Sequence, residues 1–176
     1  MKRIALLAAL LAPLGAAADK ADRDKPTQIE ANRMSADDAR RMTIFEGAVV
    51  LTRGTIRLTA DRIIVRQDAE GFQLATATGT PARFRQRQDP KPPDTQGIWI
   101  EGEALRMELD DKSGKVEMFE SARLTRGGDE VAGAYILYDQ RSDFFSVNSA
   151  KDATAPGSGR VKAVLQPKPR ADKAAK

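Results

Sequence analysis

From residue 28 onward the chain alternates apolar and polar positions like a succession of β-strands, and at four places the alternation slips. In "LTADRIIV" (58–65), Leu58 and Ala60 share one parity while Ile63 and Val65 share the other, so a single strand of period two cannot bury all four. The same form, apolar-x-small-x-x-apolar, recurs in "IEANRM" (29–34), "IEGEAL" (100–105) and "VAGAYI" (131–136). A parity change at Ala or Gly is what a β-bulge or strand bend produces, because one extra residue re-aims every later side chain. Each slip therefore predicts a corner.

Turn signals follow each corner strand: "SADDAR" from Ser35, "QDAEG" from Gln67, "DDKSG" from Asp110 and "DQRSD" from Asp139. Clusters of Asp, Ser and Gly between alternating runs predict hairpin connections. Returning strands are expected over 42–47, 72–79, 115–121 and 144–150, with third elements over 49–54, 82–86 and 122–127. "LTRG" occurs at Leu51 and again at Leu124, and Val131 and Ile136 stand at the same 73-residue offset from Leu58 and Ile63. Short strands, frequent turns and no helical period indicate an all-β sandwich, jelly roll or solenoid.

Parity assigns an inward set. Before the corners it contains Ile29, Leu58, Ile100 and Val131; after them Ile63, Val65, Leu105, Met107, Ile136 and Tyr138; on the remaining strands Phe45, Leu74, Met118, Val49, Leu51, Phe84 and Leu124. "RFRQR" places Arg83, Arg85 and Arg87 on the side opposite Phe84. The three prolines between Arg85 and Gly97 predict a loop or an edge crossing. "RVKAVLQP" (160–167) offers a last strand with Val161, Ala163 and Leu165 on one face, suited to meet a neighbouring chain.

Composition narrows the function. The first 18 residues combine Lys2 and Arg3, an apolar run to Leu14 and small residues at Ala16 and Ala18, the layout of a secretory signal peptide cleaved after Ala18. The expected division is then a signal peptide over 1–18, one β-domain over 19–155, and an edge strand with a basic disordered tail over 156–176. Cysteine is absent, so neither a disulfide framework nor a lipid-anchor cysteine is available, and an exported chain of this kind fits the periplasm of a Gram-negative bacterium. Histidine is absent too, which removes the commonest general base and metal ligand. Asp61 and Glu103 are the acids that invite a glycosidase reading, but the other copies of the repeat carry Asn32 and Ala134 there. No enzyme activity, metal or cofactor is expected.

Lys2 and Arg3 leave with the signal, so the 29 basic residues become 27 against 25 acidic ones. From Pro156 onward six basic residues face only Asp172, which leaves the body of the protein slightly acidic. A nucleic-acid partner, which needs a basic footprint on the folded domain, is not expected.

"PTQIEANRM", "TIFEGAVVLTRGTIRLTADRIIV", "ATGTPARFRQ", "IEGEALRMEL" and "RVKAVLQP" resemble, in order and spacing, the OstA-like periplasmic lipopolysaccharide-transport proteins. The resemblance spans about residues 25–167, and Ser121 stands where that pattern usually has Gly. It implies an open antiparallel β-jellyroll of two V-shaped sheets whose interior carries lipopolysaccharide. It also implies head-to-tail association with itself and with similar jellyroll domains of an inner-membrane transport complex and an outer-membrane assembly complex. On that basis the inward set becomes a lipid-binding groove, and Arg83, Arg85 and Arg87 become candidate contacts to lipid A phosphates. The residues themselves leave two other classes open: a structural β-repeat protein with a dry core, and a carbohydrate-binding jelly roll. The second is poorly supplied with stacking aromatics, with one Trp and two Tyr.

Overall fold

The computed structural model describes residues 22, 25–71, 73–88, 90, 97–149 and 160–167. The signal peptide and its cleavage site, the segment 150–159, the tail beyond 167 and much of the proline-rich segment (89 and 91–96) lie outside the described residues. These contain ten strands and no helix: β1 (Gln28–Glu30), β2 (Arg33–Asp37), β3 (Met42–Arg53), β4 (Ile56–Gln67), β5 (Gln73–Arg87), β6 (Trp99–Asp110), β7 (Lys115–Arg126), β8 (Asp129–Asp139), β9 (Phe144–Asn148) and β10 (Lys162–Val164). All pairings are antiparallel, and the sheet runs β1-β3-β4-β5-β6-β7-β8-β10, with β2 also on β3 and β9 also on β8. β1 and β10 do not pair, so the sheet stays open.

The long strands correct one expectation. Segments 42–47 and 49–54 are not separate elements but the two parts of β3; β5 and β7 likewise each merge two expected pieces and carry a bend between them. Register shifts fall at Glu46/Val49, Thr59/Arg62, Thr78/Ala82, Glu103/Arg106 and Phe119/Ala122. Because Val49 lies opposite Ala60, Ala82 opposite Ala104, and Ala122 opposite Gly133, the bulges line up from strand to strand. A row of aligned bulges is a crease. It divides the sheet into a first layer (β1, 49–53, 56–60, 82–87, 99–104, 122–126, 129–133 and β10) and a second (β2, 42–46, 62–67, 73–78, 106–110, 115–119, 135–139 and β9).

The two layers face each other. Arg53 at the far end of the first donates to Asp111 at the far end of the second at 2.7 Å, and Gln140 of the second donates to Gln86 of the first at 2.8 Å. Met118 reaches across from the second layer: a Cβ on Gly102 would lie 2.7 Å from its Cε and 2.8 Å from its Sδ. Gly102 therefore makes room for a neighbour's side chain, and any larger residue there would displace Met118.

At the crease two strands use left-handed backbone. In β3 the bend falls on Gly47 (φ +81°) and Ala48 (φ +47°), and a Cβ at Gly47 would meet Asn32 Nδ2 at 2.7 Å. In β7 the bend falls on Glu120 (φ +64°) and Ser121 (φ +54°). Ser121 thus keeps the bend that glycine would give, with backbone strain of about 1–2 kcal/mol for an L residue held there.

Aspartates build the hairpins that the sequence signals. Asp37 accepts from the Arg40 amide at 3.0 Å and Asp68 from the Glu70 amide at 2.9 Å. Asp110 accepts from Lys112 and Ser113 at 2.8 and 3.2 Å, and Asp139 from Arg141 and Ser142 at 2.9 and 3.2 Å. Burial alone would raise the Asp110 carboxyl, but the bonds from Ser113 and Lys112 outweigh it and hold it below the ordinary range. Asp139 is lowered in the same way by Ser142 and Arg141.

Candidate functional site

Between the layers lies one apolar cluster. Of the inward set, Val49, Leu51, Leu58, Ile63, Phe84, Ile100, Met107, Met118, Leu124, Ile136 and Tyr138 are buried in it. Ile29, Phe45, Val65 and Val131 are partly buried and pack against it. Leu74 and Leu105 do not join it: they are 36% and 39% exposed, and the inward placement of both is corrected.

Leu105 fails because the third copy of the repeat is read two residues early. Register pairs Leu58 with Phe84, Phe84 with Gly102, and Gly102 with Leu124, so Gly102 is the equivalent of Leu58 and Met107 the equivalent of Ile63. The bulge falls after Ala104, and Leu105 is the residue it turns outward. The sequence signal that finds this is "GEALRM" (102–107), where Ala104 precedes Met107 by the same three residues that separate Ala60 from Ile63. Leu74 fails because Ala75 and Ala77 hold the inner face of β5; Ala77 fits in register between the larger Ile63 and Met107. Ile56, Val116 and the small residues Ala60, Ala82, Ala104 and Ala122 complete the core and escaped parity reasoning focused on large side chains.

Two rows of inner residues cross the whole sheet. In the first layer the register reads Ile29, Leu51, Leu58, Phe84, Gly102, Leu124, Val131, Ala163. In the second it reads Met34, Phe45, Ile63, Ala77, Met107, Met118, Ile136, Val147. At about 4.8 Å per strand each row is about 34 Å long. No polar side chain interrupts either row.

The rows end in the open. Met34 is 65% exposed on the β2 edge, and beyond β10 Leu165, which shares the parity of Ala163, is 73% exposed. Val161, Val164 and Phe144 are also exposed at the β9/β10 edge. Edge strands are normally blunted with charge or proline; here Glu30, Arg33, Asp37 and Lys162 put charge on the edges, but the inner-face positions at Met34, Ala163 and Leu165 stay apolar and exposed. β10 is shorter than the expected 160–167 strand, and Val161 and Leu165 flank it rather than lie in it.

The outer face is charged. Arg83, Arg85 and Arg87 are exposed there: Arg83 is 3.8 Å from Glu103, and Arg85 is 3.3 Å from Glu101 with its guanidinium 3.7 Å from the centre of the Trp99 ring. Glu103 also meets Arg123 at 3.4 Å, so it is an ion-pair partner rather than half of an acid pair. A cleft of about 450 Å³ lies over this face, lined by Arg57, Thr59, Arg83, Arg85, Glu101, Glu103, Arg123 and Thr125, with Phe84 and Gly102 beneath. Over the second layer, Phe119 and Tyr135 pack ring to ring at 5.3 Å, with Arg106 stacked 3.6 Å over Phe119 and the Tyr135 hydroxyl bonded to the Glu117 carboxylate. Burial first, and then that bond, hold the phenol protonated well above its ordinary range.

Residues 28–144 match the model of the LptA/LptD N-terminal domain family of lipopolysaccharide-transport proteins. The chain is 27% identical over 172 residues to the lipopolysaccharide export system protein LptH of Pseudomonas aeruginosa, covering 94% of this chain and 95% of that one. It is 30% identical over 142 residues to LptA of Escherichia coli, covering 78% and 74%. The crystal structure of P. aeruginosa LptH, described as the LptA-homologous periplasmic component of a conserved lipopolysaccharide transport device, superposes with a TM-score of 0.73 at 26% identity, covering 84% of this chain and 99% of that one. An open, creased antiparallel sheet and a family match over most of its strands agree: this chain belongs to the LptA/LptD N-terminal domain family of lipopolysaccharide-transport proteins and has its β-jellyroll fold.

Proposed function

We propose that this protein is a non-enzymatic periplasmic carrier that holds the acyl chains of lipopolysaccharide between its two layers and joins end to end with like domains to bridge the inner and outer membranes. The observation that carries the proposal is the pair of uninterrupted apolar rows that run through the core, one emerging exposed at Met34 on the β2 edge and the other at Ala163 on the β10 edge. A self-contained core has no need of apolar ends.

Burying a methylene is worth about 0.8 kcal/mol, so exposing an acyl chain of about a dozen carbons to water costs on the order of 10 kcal/mol. A lipid with several such chains needs continuous cover along its route. The topology supports such continuity. β1 and β2 run antiparallel to β3, and β10 and β9 antiparallel to β8; the six strands β3–β8 between the edges give seven reversals of direction from β1 to β10, so the two edges of one copy run antiparallel. A second copy in the same orientation would therefore set its β1 and β2 antiparallel to the β10 and β9 of the first. Such a heterologous contact gives open filaments and places one apolar row in line with the next. The same edges suit the homologous jellyroll domains of an LptC-like inner-membrane partner and an LptD-like outer-membrane partner. Export by the signal peptide, with cleavage after Ala18, supplies the compartment.

One observation favours a purely structural reading: the central residues of the rows, from Leu58 to Ile136, are wholly buried against one another. As a carrier, the protein must part its layers at the rim held by Arg53 with Asp111 and Gln86 with Gln140. Native mass spectrometry of the mature protein, purified from cells that make lipopolysaccharide, separates the two. The carrier is expected to retain lipopolysaccharide in at least part of the population; a protein that remains lipid-free even after incubation with excess lipopolysaccharide has a dry structural core.

A further inference from the structure

Arg57 lies directly opposite Arg85 across the β4–β5 pairing, on the outer face of the first layer. Like charges in direct register destabilise an antiparallel pair. On its other side Arg57 faces Thr52, so neither neighbouring strand offers it a carboxylate in register. Arg83 and Arg87, two positions either side of Arg85 on the same face, add to the positive field around it. The carboxylates of the cleft, Glu101 and Glu103, both stand on β6, on the far side of β5. They hold Arg85 and Arg83 from that side, whereas the β4 lining of the cleft, Arg57 and Thr59, includes no carboxylate.

Two arginines in direct register beneath an open cleft, one of them already drawn toward β6 by Glu101 and Trp99, are relieved when an oxyanion enters beside them. Guanidinium forks match the tetrahedral oxygens of a phosphate, and a neighbouring hydroxyl, here Thr59, completes such a cradle. We propose that the cleft is a binding site for a phosphate-type anion, held chiefly between Arg57 and Arg85 with Arg83 and Thr59 beside them. The site is separate from the apolar interior, since these side chains lie on the opposite face of the same strands from Leu58 and Phe84. The anion has two chemical sources, a phosphorylated sugar headgroup or free inorganic phosphate.

The experiment is thermal unfolding of the full mature chain at constant ionic strength, with chloride exchanged for inorganic pyrophosphate. The wild type is expected to show a rise in midpoint that saturates with pyrophosphate, as for any ligand that binds only the folded state. Arg57→Gln is expected to weaken pyrophosphate binding about tenfold or more, by loss of a charge-assisted contact. In chloride the same variant should be at least as stable as the wild type, because the repulsion with Arg85 is gone. Arg66→Gln, on the outer face of the second layer, controls for general charge and should keep the full rise. Equal rises in wild type and Arg57→Gln, or no rise in the wild type, overturn the site. Binding of bisphosphorylated and dephosphorylated lipid A to the two proteins then assigns the source. Weaker binding by Arg57→Gln of the phosphorylated form alone supports a headgroup site. Unchanged lipid binding alongside a lost pyrophosphate rise supports a site for the free anion. A wild type that binds pyrophosphate but neither lipid would count against the carrier reading and leave the anion site standing.

Discussion

Met107→Asp should abolish folding, whereas Leu105→Asp, two residues earlier on the same strand, should fold like the wild type. Met107 is wholly buried between Ala77 and Met118 in the second-layer row. Replacing it removes a large side chain from a packed core, which alone costs about 2–5 kcal/mol. It also places there a carboxylate with no partner, adding about 3–5 kcal/mol or forcing the group to take up a proton. Together these consume most or all of the roughly 5–15 kcal/mol that stabilises a domain. Leu105 points outward at the bulge, where a charge meets water, and surface changes of this kind move stability by about 0.5 kcal/mol or less. Circular dichroism and urea titration of both variants read the difference. Similar unfolding of the two would mean that the strand does not change face at the crease.

Deleting residues 160–176 should leave a folded monomer that no longer assembles. β10 contributes three residues paired to Val131, Ala132 and Glu130, and its side chains are all exposed, so no core is removed. Losing a short exposed edge strand should lower stability by about 1 kcal/mol or less, since only a few solvent-facing backbone bonds are involved. Assembly should fall much further. Val161, Val164 and Leu165 are three of the four large apolar residues exposed at that edge, Phe144 being the fourth, and the strand whose backbone would pair with the next chain is gone. Multi-angle light scattering over a concentration series reads the result. Full-length and truncated proteins associating alike would place the contact elsewhere.

The corners were legible because a bulge leaves a local signature: a small residue with a parity change beside it, as at Ala60 and Gly133. What the signature lacks is an absolute register. "IEGEAL" satisfies the pattern as well as "GEALRM" does, and only the pairing of Gly102 with Phe84 and Leu124 decides between them. Turn residues were equally local and placed the hairpins, because each Asp bonds to amides two or three residues on. Continuity was not local. Whether 42–47 and 49–54 are two strands or one bent strand depends on the partner that both halves share, β4. Size misled at Leu74, where the larger apolar residue lies outside and the alanines inside, because the space on that face is set by Ile63 and Met107 on neighbouring strands. The opposition of Arg57 and Arg85 is likewise a property of register, invisible until two strands 28 residues apart are aligned. The exposed apolar end at β10 is visible in "RVKAVLQP", but Met34 reads as an ordinary corner residue until β2 proves to be the sheet's edge.

Site-specific photo-crosslinking in lipopolysaccharide-producing cells tests most directly whether the inner face carries the lipid. Phe45 and Val131 belong to the two inner rows near opposite edges and are only partly buried, so a probe fits there without dismantling the centre. Glu46 and Glu130 are their neighbours in sequence and point to the other face. The carrier account predicts lipopolysaccharide adducts at 45 and 131 and none above background at 46 and 130. Equal labelling of both pairs, or labelling confined to 46 and 130, would contradict it.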